Sequence, residues 1–315
     1  MQVRILGSSA GGGFPQWNCA CANCAALRSG RFSGKARTQT GLAISADKQR
    51  WLLLDASPDL RAQIESSPQL LPRASDAGNQ RNTPIAAVIL TCADVDRVLG
   101  LLLLREFQPL RVYATAAVQE ILMEENSIFR TLQREPRQIV WHQLETSKPC
   151  SLADVEECPL GLECVPLALE ASYPQYVTAA RRDRLSRSQA VIALQVSDPA
   201  TRRNFFYAPS LPKLDADMLA QASASDLLFV DGTFWSEDEL IRARGGAGRS
   251  SAQMGHLPVS GAAGTLQRFA RAARPKKIYI HINHTNPMLD EHSPQFAQIA
   301  AAGWSLATDS AEFTL

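Results

Sequence analysis

The stretch IAAVILTCADVDRVLGLL, residues 85–102, runs from a block of apolar residues through Thr91 into a turn bearing Cys92, Asp94, Asp96 and Arg97. An apolar-periodic segment expected to be helical follows, over Asp96–Phe107. A strand apolar on both faces has to be covered on both sides, which places helices outside packed sheets. The same character returns in DLLFV, residues 226–230, and KIYIHIN, residues 277–283. Amphipathic stretches lie between such runs, among them Ser57–Leu71, Ala116–Leu132, Leu214–Ala224, Ser236–Arg244 and Thr265–Ala273. Ser57 followed by Pro58, and Ser293 followed by Pro294, read as helix starts, because proline at the first helical position gives up an N–H that would go unpaired anyway. Strand alternating with helix predicts an α/β sandwich, with residues 1–315 forming one domain.

Residues 136–189 show weaker patterning, and RGGAGRSSAQMG, residues 244–255, reads as a mobile loop with no side chains to anchor it. Lys and Arg total 32 against 31 Asp and Glu, so no global field attracts nucleic acid. The first fifteen residues carry one Arg and a short apolar run, too little for a signal segment or a membrane span. The expectation is a cytoplasmic protein without membrane insertion, with monomer and homodimer both open.

Seven cysteines form an odd set, and three of them fall in NCACANC, residues 18–24. A disulfide between residues two apart would be strained and would leave one thiol over. Cys19, Cys21 and Cys24, spaced C-x-C-x2-C, suit three corners of a tetrahedral Zn2+ site, with the fourth ligand supplied from afar. His142, His256, His281, His284, His292 or another cysteine are the candidates, and His284, just past the KIYIHIN strand, is the most suggestive. Cys150, Cys158 and Cys164 read as small buried hydrophobes.

The strand-to-turn pattern of residues 85–100 resembles the metallo-β-lactamase fold superfamily, whose turn reads H-x-H-x-D-H. Within it, VRILGSSAGGGFPQWNCACANC, KARTQT, DASPDLRAQI, LLLREF, FFYAPS, LLFVDGTFW, MGHLPVSG and HINHTNPMLDE together resemble the coenzyme PQQ synthesis protein B family, from residue 2 to the C-terminus. The resemblance implies a four-layer αβ/βα sandwich and a part in making pyrroloquinoline quinone. That part is either metal-dependent hydroxylation of a tyrosine-derived small-molecule or peptide precursor, or transport of the quinone or its precursor towards the periplasm. A phosphodiesterase branch of the superfamily implies zinc on Cys19, Cys21, Cys24 and His284.

The edge pocket departs from the superfamily. Asp96 is kept, the three histidines of the turn are missing, and Arg97 cannot ligate a metal because its guanidinium stays protonated. A two-metal hydrolytic centre therefore lacks donors, and phosphoester hydrolysis is the weakest expectation. The residues expected to line the pocket are Asp94, Asp96, Asp231, His256 and His281, with His281, Asp94 and Asp96 as the expected ligands of a catalytic Fe2+, His256 as a further ligand or an acid–base group, and Asp231 binding substrate or orienting His256. The simpler structural reading has Asp94 or Asp96 capping the following helix and pairing with Arg97, and Asp231 shaping an Asp-Gly turn. Arg181, Arg182, Arg184 and Arg187 suit a solvated face, or the carboxylates of a precursor.

Overall fold

The computed structural model describes residues 1–73, 80–106 and 108–315, in which fourteen strands numbered along the chain are interspersed with short helices. The chain divides into two compact units, each assembled from non-contiguous segments: Met1–Leu6, Gly41–Arg203 and Ser310–Leu315 form the first, Gly7–Thr40 and Asn204–Asp309 the second. Among the described residues, no helix is long and apolar enough to cross a membrane.

In the first unit, β1 (Gln2–Gly7), β2 (Gly41–Ser45), β3 (Trp51–Leu54), β4 (Ile85–Ile89), β5 (Leu110–Ala114), β6 (Ile139–Gln143) and β14 (Glu312–Thr314) form a mixed sheet in the order β14-β1-β2-β3-β4-β5-β6. The parallel β3–β4–β5–β6 portion contains the apolar runs, and Leu53, Leu54, Val88, Ile89 and Val112 are fully buried. The same unit holds an antiparallel set of β7 (Cys150–Ala153), β8 (Pro159–Ala168) and β9 (Ile192–Asp198). The ten-residue β8 lies inside the weakly patterned region. Its alternation of buried Leu160, Leu162 and Cys164 is genuine, but Pro159, Gly161 and Pro166 mask it as a turn signal.

The second unit is built on four parallel strands, β10 (Arg203–Ala208), β11 (Leu227–Asp231), β12 (Lys276–Ile280) and β13 (Trp304–Leu306). Ser293 caps the helix Pro294–Ala301 by accepting the N–H of Phe296 at 3.0 Å. Ser57 instead closes a preliminary turn with Leu60, and the helix proper is Leu60–Glu65. The Asp96–Phe107 segment resolves into two short turns of helix, Val95–Val98 and Leu99–Leu104, and Phe107 lies outside the described residues. Gly100, at the start of the second turn, is required there because a Cβ would meet the Ser57 carbonyl at 2.2 Å.

The turn after β4 is organised by a buried ion pair. Arg97 and Asp55, both about 1% exposed, meet at 2.7 Å, and Asp55 also accepts the N–H and hydroxyl of Thr91, each at 2.8 Å. Asp55 adopts φ +63°, a conformation that Asp and Asn tolerate better than most residues. Asp96 lies 3.6 Å from the Arg97 guanidinium, and Asp94 accepts the Cys92 thiol at 3.3 Å but makes no side-chain cap on Val95–Val98. The pairing half of the structural reading is present and the capping half is not.

Removing one partner of a buried pair strands the other charge, at a cost of about 3–5 kcal/mol. Arg97→Met is expected to lower the unfolding free energy by about that amount. Adding Asp55→Asn to it should restore part of the loss, because the uncompensated charge goes while the Thr91 contacts stay. Urea unfolding of the single and double variants checks this.

Candidate functional site

The parallel register of β11 and β12 pairs Asp231 with Ile280, so the residue that ends one strand stands beside His281, the first residue beyond the other. Gly232 follows Asp231 because β12 passes too close for anything larger: a Cβ would lie 2.8 Å from that of Tyr279. The Asp-Gly step is therefore a packing requirement as well as a turn. His281 has φ +59°, a strained conformation for a non-glycine residue that turns its ring back towards Thr233.

Asp231 is fully buried and accepts four hydrogen bonds. They come from the Leu211 N–H (2.8 Å), the Thr233 N–H (3.0 Å), the Thr233 hydroxyl (2.6 Å) and His256 Nδ1 (2.7 Å). Burial alone would raise its pKa, but the neighbouring His256 and His281 and the Thr233 hydroxyl outweigh it and hold the carboxyl below its ordinary value. A carboxylate acceptor assigns the proton of His256 to Nδ1. With the Thr233 hydroxyl given to Asp231, the 2.8 Å contact to His281 assigns that ring's proton to Nδ1 as well. In the neutral rings both lone pairs then reside on Nε2. The two rings stack 5.5 Å apart, and Phe234 makes a T-shaped contact with His256.

His256 comes from the loop expected to lack anchors. Ser251 supplies one, donating its hydroxyl to the His256 carbonyl at 2.7 Å and accepting the His256 N–H at its own carbonyl. Asp231, His256 and His281 each offer a ligand atom, all within 4.8 Å of one another. Asp94 and Asp96 are carried by the first unit, where their neighbours are Cys92 and Arg97. Arg181 faces Glu120, Glu124 and Glu125, an acidic partnership that the sequence reading of the arginine cluster did not anticipate.

The cysteine loop belongs to the second unit and is stitched to the end of β12. Ile282 N–H donates to Ser8, the Ala10 N–H donates to Ile282, and Phe14, Cys24, Ile282 and Leu289 form a buried apolar cluster. Asn23 donates to the His284 carbonyl at 3.0 Å. Donor atoms of Cys19, Cys21 and His284 lie within 4.8 Å of one another, and Cys24 interacts with both other thiols. Burial and the neighbouring sulfurs push the Cys24 thiol up to about 12, the sign of several sulfurs competing to ionise in one place. Burial, helped by Arg244, lowers the pKa of His284, which favours the neutral ring that a metal requires. Its Nδ1 is buried without a hydrogen-bond partner.

Sequence reasoning passed over Thr233, Asp55 and Glu239. Thr233 stands two residues after Asp231 in VDGT, a visible Asp-x-Thr turn, but its reach to His281 depends on the register of β12. Glu239, in the helix Glu239–Ala243, accepts the Thr285 hydroxyl and the Trp235 N–H, both at 2.5 Å, and so steadies the segment that carries His284.

The model of the Beta-lactamase superfamily domain matches residues 50–282. The chain is similar to coenzyme PQQ synthesis protein B of Nitrosococcus oceani, 40% identical over 319 residues that cover all of both chains. It is also similar to that of Gluconobacter oxydans, 38% identical over 315 residues, covering 100% of this chain and 99% of the other. Among solved structures, Zn2+-bound PqqB from Methylobacterium extorquens matches with a TM-score of 0.88 at 33% identity, over 100% of each chain. A diphosphatase of the PhnP family shares the fold alone, with a TM-score of 0.64 at 17% identity over 100% of this chain and 97% of its own.

Burial raises the pKa of Glu239 to about 7, despite its hydrogen bonds to Thr285 and Trp235. The folded chain thus holds a proton that the unfolded chain releases near 4.5, so this group's contribution to stability falls as pH rises from about 4.5 to about 7. Glu239→Gln should flatten that part of the stability–pH profile, as measured by chemical unfolding across the window.

Proposed function

We infer that this chain, which belongs to the coenzyme PQQ synthesis protein B family of the β-lactamase superfamily and has its metallo-β-lactamase α/β fold, acts in pyrroloquinoline quinone biosynthesis by hydroxylating a tyrosine-derived precursor. The observation that supports this best is the grouping of one carboxylate and two imidazoles, Asp231, His256 and His281, at the ends of β11 and β12. Two histidines and one carboxylate are the donor set of non-haem Fe(II) oxygenases, so these residues fit Fe2+ once the ion replaces one of the four hydrogen bonds on Asp231. Bound there, Fe2+ would supply activation of O2. The protein's own part is to fix the rings: Thr233 holds His281 through Nδ1, Asp231 holds His256 through Nδ1, and Phe234 packs T-shaped against His256.

Cys19, Cys21, Cys24 and His284 would hold a structural Zn2+. The crowded thiols and the unpartnered, buried Nδ1 of His284 fit a thiolate–imidazole site, and an ion there would fasten the Gly7–Thr40 segment to the end of β12.

A second reading, binding and transport of the quinone or its precursor without turnover, is favoured by the saturated carboxylate of Asp231. Four hydrogen bonds use all of its acceptor sites, so it is satisfied with no ion at all. Two-metal hydrolysis is disfavoured by the turn after β4, where Cys92 pairs with Asp94 and Arg97 is committed to Asp55.

Zinc-supplemented protein should hold one Zn2+ per chain, and Cys21→Ser should lose it and lower the melting temperature by at least about 3 °C, the shift that roughly 1 kcal/mol produces. Metal analysis and calorimetry read the two effects. For the second site, protein loaded anaerobically with Fe2+ and then given O2, a tyrosine-containing peptide and ascorbate as the two-electron reductant should add one oxygen atom of O2 to the peptide, the other leaving as water. His281→Ala should reduce that turnover by about a hundredfold or more. Peptide bound without conversion by Fe2+-loaded protein would select the transport reading.

A further inference from the structure

A second group of sulfurs lies in the first unit, apart from the cysteine loop in sequence and in chemistry. Cys150 on β7 and Cys164 on β8 are direct cross-strand partners in an antiparallel pair. Directly opposed residues have Cα atoms about 4.5–5.5 Å apart and side chains on the same face, within the roughly 4.4–6.8 Å that a disulfide spans. Both thiols are free, and the Cys150 thiol also lies 3.7 Å from the Ser151 carbonyl.

Their surroundings differ. Cys164 is fully buried, whereas Cys150 is partly open and has His142 Nε2 at 3.6 Å from its sulfur. His142 is fixed on β6 opposite Tyr113, with the rings 4.9 Å apart. Tyr113 in turn is tied to β7, donating to the Ala153 carbonyl and accepting the Ala153 N–H at 2.8 Å. The proximity of Cys164, helped by Arg111 and opposed by burial, lowers the pKa of Cys150, while the proximity of Cys150 and burial raise that of Cys164. One sulfur is thus prepared to ionise and the other to remain a thiol.

We propose that Cys150 and Cys164 form a peroxide-responsive dithiol–disulfide pair, with Cys150 as the attacking sulfur, Cys164 as the resolving sulfur and His142 as the base. His142 takes the Cys150 proton, and the thiolate attacks one oxygen of hydrogen peroxide. The O–O bond breaks, and the departing hydroxide collects that proton as water, leaving Cys150 as a sulfenic acid. The Cys164 sulfur then attacks the Cys150 sulfur. The S–O bond breaks, and hydroxide leaves with the Cys164 proton as a second water. Each sulfur loses one electron and the peroxide gains two. The product staples β7 to β8, and a dithiol reductant reverses it. None of this depends on the zinc loop or on the Asp231 site.

The test uses the full, zinc-supplemented and fully reduced chain, treated with hydrogen peroxide, alkylated and mapped by mass spectrometry of its peptides. A Cys150–Cys164 cross-link that dithiothreitol removes is the expected result. Cys164→Ser should instead leave a Cys150 sulfenic acid that dimedone traps, and His142→Phe should slow oxidation of Cys150 about tenfold. The proposal is overturned if wild-type Cys150 and Cys164 remain alkylatable while Cys158 or the loop cysteines oxidise. Cys150 joined to Cys158, or a His142→Phe rate equal to wild type, would overturn it equally. Mapping of the wild-type chain decides the pairing even where a variant does not fold.

Discussion

A carboxylate with no exposure to solvent must find its hydrogen bonds inside the protein, and Asp231 finds four. That demand organises the second unit. Leu211 follows β10, Thr233 follows β11 and His256 sits on a distant loop, yet all three segments converge on one side chain at the end of β11. His281 joins through Thr233. The site is therefore a consequence of satisfying one buried charge, and its histidines are oriented before any ligand arrives.

The turn after β4 meets a similar demand in a different way. Where superfamily members carry histidines, this chain has Cys92, Asp94 and Arg97, and the guanidinium of Arg97 lies against the buried carboxylate of Asp55. A permanent side-chain cation does there what an ion does elsewhere: it neutralises buried negative charge and fixes the turn. The cysteine loop carries the opposite arrangement, three thiols and an imidazole: the neighbouring Cys21 and Cys24, with a smaller contribution from Arg28, lower the pKa of Cys19 against the effect of burial, and Arg28 donates to the Cys19 and Gln16 carbonyls. Its donors call for an external ion, and its backbone is already held to the end of β12.

The α/β class, the strands that bury both faces, the metal-suited character of C-x-C-x2-C and the loss of the turn histidines were all determined by the sequence. Each follows from local chemistry, in which apolar runs need cover, closely spaced thiols resist pairing and an arginine cannot ligate. Tertiary structure decided the rest. Asp55 and Arg97 are 42 residues apart and become partners only when the segment after β3 meets the turn after β4. Thr233 reaches His281 only through the register of β12 on β11, and Cys150 meets Cys164 only because β8, disguised by its prolines and glycine, is a strand. Periodicity reports which face of a segment is buried. It carries no information about what that face is buried against, because pairing across a sheet depends on register between segments that the chain itself leaves far apart.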